Sequence, residues 1–410
     1  MPHFSSIQRC RFSSASRTTV LFMAAVTVLS VSAGSVPAAS PPLARRPLAA
    51  VGAKVDWQLD LHLRQTVSIK SFRLVGGYLL VLTSDGGVRA IDAATGRLAW
   101  TRWLAEPGDV LRPPVACPSA AFDTFVFTRA HDVLLIDAKR GLETGRIELE
   151  ETGIGSAAAS SEMIFVTAPD HRIQTYRIKD GMGMKAVRTV GSLHLDPLYL
   201  ADKDLLIVAD GSGLVAGITG ADLTKRFAKH FPYEARGGLA VHGDTLYFAT
   251  GEPTLYGLDC ETGATVLEYR LRKPPAGGPV VTSTSIFQSM RFGGVQRIGV
   301  DMEWPNWYVE EAKQFLAEWP GQVVLLRHDG KIMLVRQETG EKQAVVDVGP
   351  IARGVHNVWT DAVMVVSQRG HVRCIRPKNA PPLTLIDFRP PAVANPSPEG
   401  SDTDAGSENE

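Results

Sequence analysis

The sequence predicts an all-β fold, an eight-bladed β-propeller of four-stranded blades. Three observations carry that reading: a recurring three-strand unit, a spacing near forty residues between its copies, and an N-terminal strand placed to close the ring. The unit is clearest from Tyr78 to Trp100. Leu79 to Leu82 and Val88 to Ile91 are β-rich runs joined by Ser84-Asp85-Gly86-Gly87, a hairpin turn whose glycines accept positive φ. Asp92-Ala93-Ala94-Thr95-Gly96 is a second turn, and Leu98 to Trp100 a third strand. A single meander of this kind cannot bury both faces by itself, so it must stack on copies.

The copies are present. Asp92 ends the second run of the unit, and Asp137, Arg177, Thr219, Asp259, Gly299, Arg336 and Arg376 occupy the matching place, at intervals of 45, 40, 42, 40, 40, 37 and 40 residues. A further short strand precedes each copy, which gives four strands per blade. After Arg376, prolines 377, 381 and 382 interrupt the chain, so the last blade lacks its own fourth strand. Val55 to Leu59 alternates apolar and polar residues and can supply it, with Leu383 to Phe388 as the rival. Trp57 lies one period before Trp100.

One stretch opposes the count. Between Pro305 and Pro320, Tyr308, Ala312, Phe315, Leu316 and Trp319 form a helical stripe, with Glu310, Glu311, Lys313 and Glu318 opposite. A helix at 305–320 would leave seven blades and an insertion. The preserved period favours eight.

Around the propeller, assigned to 54–389, the chain reads as three other pieces. Residues 1–38 are expected to be an export signal: Arg9, Arg11 and Arg17 precede the apolar run Val20 to Val31, and Val36-Pro37-Ala38 offers a cleavage site. The apolar run is short for a membrane span, so none is expected after cleavage. Residues 39–53 read as a flexible leader, and 390–410 as a disordered acidic tail. These features place the chain in the periplasm or cell envelope, or outside the cell. Cys10 precedes the apolar run and cannot be the lipid-bearing cysteine of a lipoprotein signal.

Charge and motifs narrow the function. With 43 basic and 43 acidic residues there is no electrostatic case for nucleic acid. Cys117, Cys260 and Cys374 are distant from one another with no CxxC pair, so buried thiols are expected instead of a metal or redox site. Asp85, His131-Asp132, Asp170-His171, Asp210, His328-Asp329 and His371 fall in the turns between the two central runs of each blade. Those turns sit about 10 Å apart, too far to share a metal whose bonds are about 2 Å, so turn chemistry is the expectation. Gly211-Ser212-Gly213 is a hairpin turn and no nucleophile elbow. The reading is therefore of no catalytic, cofactor or metal residues.

Val88 to Trp100 closely resembles the repeat of the PQQ-like (pyrroloquinoline quinone) propellers, roughly G-x-hydrophobic-x-A-hydrophobic-D-x-x-T-G-x-x-x-W. Leu255 to Gly263 is a second match, and Ile332 to Gly340 a third that keeps Thr339-Gly340 but lacks the aspartate. The resemblance covers about 55 to 376 and implies two broad uses. Quinoprotein dehydrogenases hold the quinone and calcium at the propeller centre. Non-enzymatic members resemble the propeller lipoprotein of outer-membrane β-barrel assembly, a partner-binding scaffold. The adjacent cysteines expected over the quinone are absent and asparagine is scarce, which favours the scaffold and a protein partner over the dehydrogenase. A polysaccharide- or peptide-binding propeller is the third alternative. Of the family's blade-docking tryptophan, Trp100 is clear, while Leu267 and Ala344 stand at the matching places in the other two good copies. Trp304, Trp307 and Trp319 concentrate three of seven tryptophans within sixteen residues and are the candidate partner-binding residues, against packing within an irregular blade.

Overall fold

Each forty-residue period folds into one four-stranded antiparallel sheet in the computed structural model, which describes residues 45–118, 123–302 and 305–389. The first blade runs Ile69–Val75, Tyr78–Thr83, Gly87–Asp92 and Leu98–Trp103. Six more follow within 115–148, 158–188, 198–230, 235–270, 280–309 and 312–346. The eighth takes Arg353–Gly354, Val363–Val366 and His371–Pro377 from the end of the chain and Ala53–Asp60 from its beginning. The count of eight stands. Every residue used to find the period, from Asp92 to Arg376, lies at or next to the end of its blade's third strand.

The N-terminal strand closes the ring as expected, with Val55 opposite Ile375 and Leu59 opposite Val372. This gives the last blade its outer strand and leaves first and last blades equivalent to the other neighbours. The rival segment does something else. Leu385–Phe388 is a 3-10 helix, with Phe388 buried in the core between the eighth and first blades.

The helix considered for 305–320 does not form. Trp307–Val309 is the outer strand of the sixth blade and Ala312–Trp319 the inner strand of the seventh. The stripe has a physical origin. The strand Ala312–Trp319 shifts register twice against its partner, between Ala312 and Gln314 and between Phe315 and Ala317. Each irregularity shifts the two-residue alternation by one, so spacings of three and four return to the same face and imitate a helix.

The core lies between blades. Eight buried clusters each join two neighbouring sheets; for example, Leu80, Leu82 and Trp100 of the first blade meet Phe125, Phe127 and Ile136 of the second. The central strands carry this burial: all six residues of Tyr78–Thr83 are buried, so their alternation is lost. In the expected leader, Arg45–Ala50 is a short α-helix whose Leu48 is buried against the seventh and eighth blades. The segments read as an export signal (1–38), the start of the leader (39–44) and an acidic tail (390–410) lie outside the described residues. Among the described residues no helix is long and apolar enough to cross a membrane.

Cys117, Cys260 and Cys374 are free and buried. Burial pushes the Cys117 and Cys260 thiols up to about 11 and raises Cys374 in the same direction. The thiolate is the reactive form. In the folded chain Cys117, Cys260 and Cys374 should therefore show no rapid reaction with a thiol reagent at neutral pH, and all three should react once denatured. Fast labelling of any of these three, located by peptide mapping so that Cys10 is counted apart, would contradict this burial.

Candidate functional site

The docking of blade on blade explains where the tryptophans go. Trp100 sits opposite Ala90, and its indole N–H donates to the Ala138 carbonyl of the second blade at 2.8 Å. The ring rests on Gly141, whose φ of +66° leaves no room or comfort for a Cβ. Trp57 repeats this on Gly96, with its N–H to Ala93 O at 3.1 Å, and Trp307 repeats it on Gly340, with its N–H to Gln337 O at 2.8 Å. Phe227 covers Gly263 in the same way. The positive-φ glycine of the repeat's second turn is thus the seat for an aromatic side chain from the preceding blade.

Of the candidate partner-binding residues, Trp304 lies outside the described residues. Trp307 is 7 % exposed and Trp319 is 5 % exposed. Trp319 projects from the inner strand of the seventh blade and donates to Asp361 O of the eighth at 2.7 Å. It bridges the junction at which Ala344 has replaced the aromatic docking residue. Trp307 and Trp319 are turned into the ring and offer a partner little surface. Counting eight residues past Thr219 and Gly299 arrives at Phe227 and Trp307, the signal that identifies them as docking residues.

The turn residues are held by local partners. Asp132 pairs with Arg129, and Asp170 with Arg172. Asp329 pairs with Arg327 at 3.2 Å, and His371 approaches Asp60 at 3.2 Å. Asp210 accepts five hydrogen bonds from Val190, Gly191, Ser212 and Leu214. Among the described residues no three His, Cys, Asp or Glu side chains converge to hold a metal ion.

Because the strands alternate in direction, these turns share a face with the connections between blades. On that face a groove of about 900 Å³ crosses the eighth, first and second blades. Its walls come from the 62–67 connection, the first blade's Asp85 turn and the 103–107 segment. Trp103 stands in it, 63 % exposed. The turn fixes this arrangement: Leu104 N–H donates to Gly86 O at 3.0 Å, and Gly86 packs against the Ala105 backbone too closely for any side chain. Asp85 accepts from Thr83 Oγ1 at 2.6 Å, from Gly87 N–H at 3.3 Å and from the Trp103 indole N–H at 3.4 Å. Burial would raise the Asp85 carboxyl, but these donors outweigh it and hold it below its ordinary range.

The cations of the groove divide into two kinds. Arg129 is engaged by Asp132 and by Leu104 O, and Arg146 by Glu143 at 2.9 Å. Arg89 is half-buried and donates to the Thr83 hydroxyl at 3.0 Å, with no carboxylate at ion-pair distance among the described residues. Arg64 is exposed and likewise makes no ion pair there. A smaller polar pocket, about 210 Å³, lies on the same face between the second, third and fourth blades, where Asp196 accepts the Ser156 N–H at 2.8 Å. The groove presents recognition chemistry: an aromatic surface, apolar Val67, Leu104 and Pro107, and two arginines with no carboxylate at ion-pair distance among the described residues, Arg89 having Asp85 as a more distant charged neighbour across the Thr83 hydroxyl.

A family profile described as "Outer membrane protein assembly factor BamB" matches residues 48–158, 84–223 and 219–381. The chain belongs to this BamB family. Among solved structures, BamB from Moraxella catarrhalis is similar with a TM-score of 0.60 at 14% identity, covering 79% of this chain and 99% of that one. The computationally designed Ika8 protein follows at a TM-score of 0.57, 14% identity and coverage of 77% and 98%. The C-terminal WD40 domain of Sif2 gives 0.57, 13%, and 79% and 98%. At these identities the structural likenesses establish the propeller fold alone. No curated protein matches the chain.

Proposed function

We propose that this BamB-family chain is an exported, non-catalytic scaffold that binds a protein partner in the periplasm or cell envelope and acts in outer-membrane protein assembly. The observation that carries the reading is the family match, which spans the propeller from residue 48 to 381. The groove supports it, since it joins an exposed aromatic to charged and apolar residues as a recognition surface does. Affinity capture with the full chain from solubilised envelope should enrich a component of the β-barrel assembly machinery over a mock bait. Recovery equal to the mock would overturn the assembly role. Dye-linked alcohol oxidation after incubation with pyrroloquinoline quinone and Ca²⁺ would overturn the non-catalytic one.

A further inference from the structure

We propose that the groove beside Trp103 is the partner site, and that it takes an extended acidic protein segment with an aromatic residue seated on the indole and flanking carboxylates on Arg64 and Arg89. The inference rests on the scaffold reading and gives it a location and a ligand chemistry.

An indole left 63 % exposed offers a partner a large apolar surface, and tryptophan is among the residues that dominate interface energetics. Trp103 is also oriented before any partner arrives, because Asp85 holds its N–H and the Gly86 contact fixes the backbone after it. An aromatic ring fixed in this way loses little conformational freedom on binding. Charge complementarity selects the occupant. Arg129 and Arg146 already have carboxylates, whereas Arg64 and Arg89 have none at ion-pair distance among the described residues. Arg89 is half-buried, is bonded to the Thr83 hydroxyl and meets Asp85 only across that hydroxyl, so an incoming carboxylate can still form paired hydrogen bonds with its guanidinium. A groove of about 900 Å³ running across three blades accommodates several side chains of an extended chain.

The probe is a labelled synthetic peptide alternating Asp and Phe with Gly and Ser, followed by fluorescence anisotropy with the full chain. It should bind saturably and weaken with salt. Matched peptides with Asn for Asp, or Ala for Phe, should bind about tenfold more weakly or worse. Trp103→Ala and Arg64→Glu alter exposed side chains, should leave the denaturation midpoint unchanged, and should each weaken the peptide about tenfold. Arg89→Lys, which keeps the charge but loses the planar fork, should fall between wild type and Arg89→Ala. Equal binding of the Asn peptide, or wild-type affinity in the Trp103→Ala and Arg64→Glu variants, would overturn the proposal. So would two other occupants: a soluble oligosaccharide that binds with loss in Trp103→Ala while the peptide does not, or peptide binding that appears only after residues 390–410 are removed. The two readings fail separately. A Trp103→Ala, Arg64→Glu double variant that still captures its envelope partner overturns the groove and leaves the scaffold intact.

Discussion

Replacing Trp100 by alanine is expected to destabilise the ring by about 4 kcal/mol, the usual scale for truncating a buried tryptophan. The side chain is buried between the first and second blades, against Tyr78, Phe125 and Ile136, and its N–H satisfies the Ala138 carbonyl. Truncation removes apolar contact, opens a cavity and leaves that carbonyl without its donor. The positive-φ turn at Gly141 cannot move into the gap without losing its own Gly141 N–H to Asp137 O bond. Leu267→Ala, at the matching place of the fifth blade, should cost clearly less, because Leu267 is only partly buried in its cluster. Urea denaturation of both variants checks the ordering. A Trp100→Ala loss below about 1 kcal/mol would show that the blades hold together by general burial and that the docking tryptophan is dispensable.

That ordering marks how far the sequence could be read. The period, the blade count and the closing strand follow from local chemistry: glycines at positive φ, Asp-capped turns and short β-rich runs repeat within each forty-residue unit. Trp100 stood out because its whole blade keeps the motif. Trp307 does the same structural job but sits in a stretch whose bulged neighbour strand mimics a helix, where its closeness in sequence to Trp304 and Trp319 suggests a surface patch. The groove was beyond local reading. Its walls come from connections at 62–67, 85–89, 103–107 and 129–146, which only the ring brings together. One clue was available. Trp100 and Trp103 are three apart in a strand, so they point to opposite faces, and the burial of one leaves the other outside.

Asp210→Asn is the second large effect expected, about 3 kcal/mol at neutral pH, and it carries a pH signature. Asp210 is 1 % exposed, and its two oxygens accept from donors only: Val190 and Gly191 N–H on one, Ser212 N–H, Ser212 Oγ and Leu214 N–H on the other. These bonds pin the connection between the third and fourth blades to the fourth blade's hairpin turn. An amide of the same shape must point an NH₂ at one set of donors, which leaves buried N–H groups unmatched. Burial alone would raise the carboxyl, but the hydrogen bonds outweigh it and hold it below the ordinary 3.8. A carboxyl whose folded value is depressed binds its proton more readily in the unfolded chain. Its contribution is therefore complete above about pH 4 to 5 and is lost as pH falls toward and through the folded value. Wild type should lose stability over that acid range, and Asp210→Asn should start lower at pH 7 and show a shallower acid slope. Denaturation midpoints at pH 7 and pH 3.5 test both parts. A variant as stable as wild type at pH 7, or one that keeps the full acid slope, would mean that the five bonds add little beyond what water supplies to the unfolded chain.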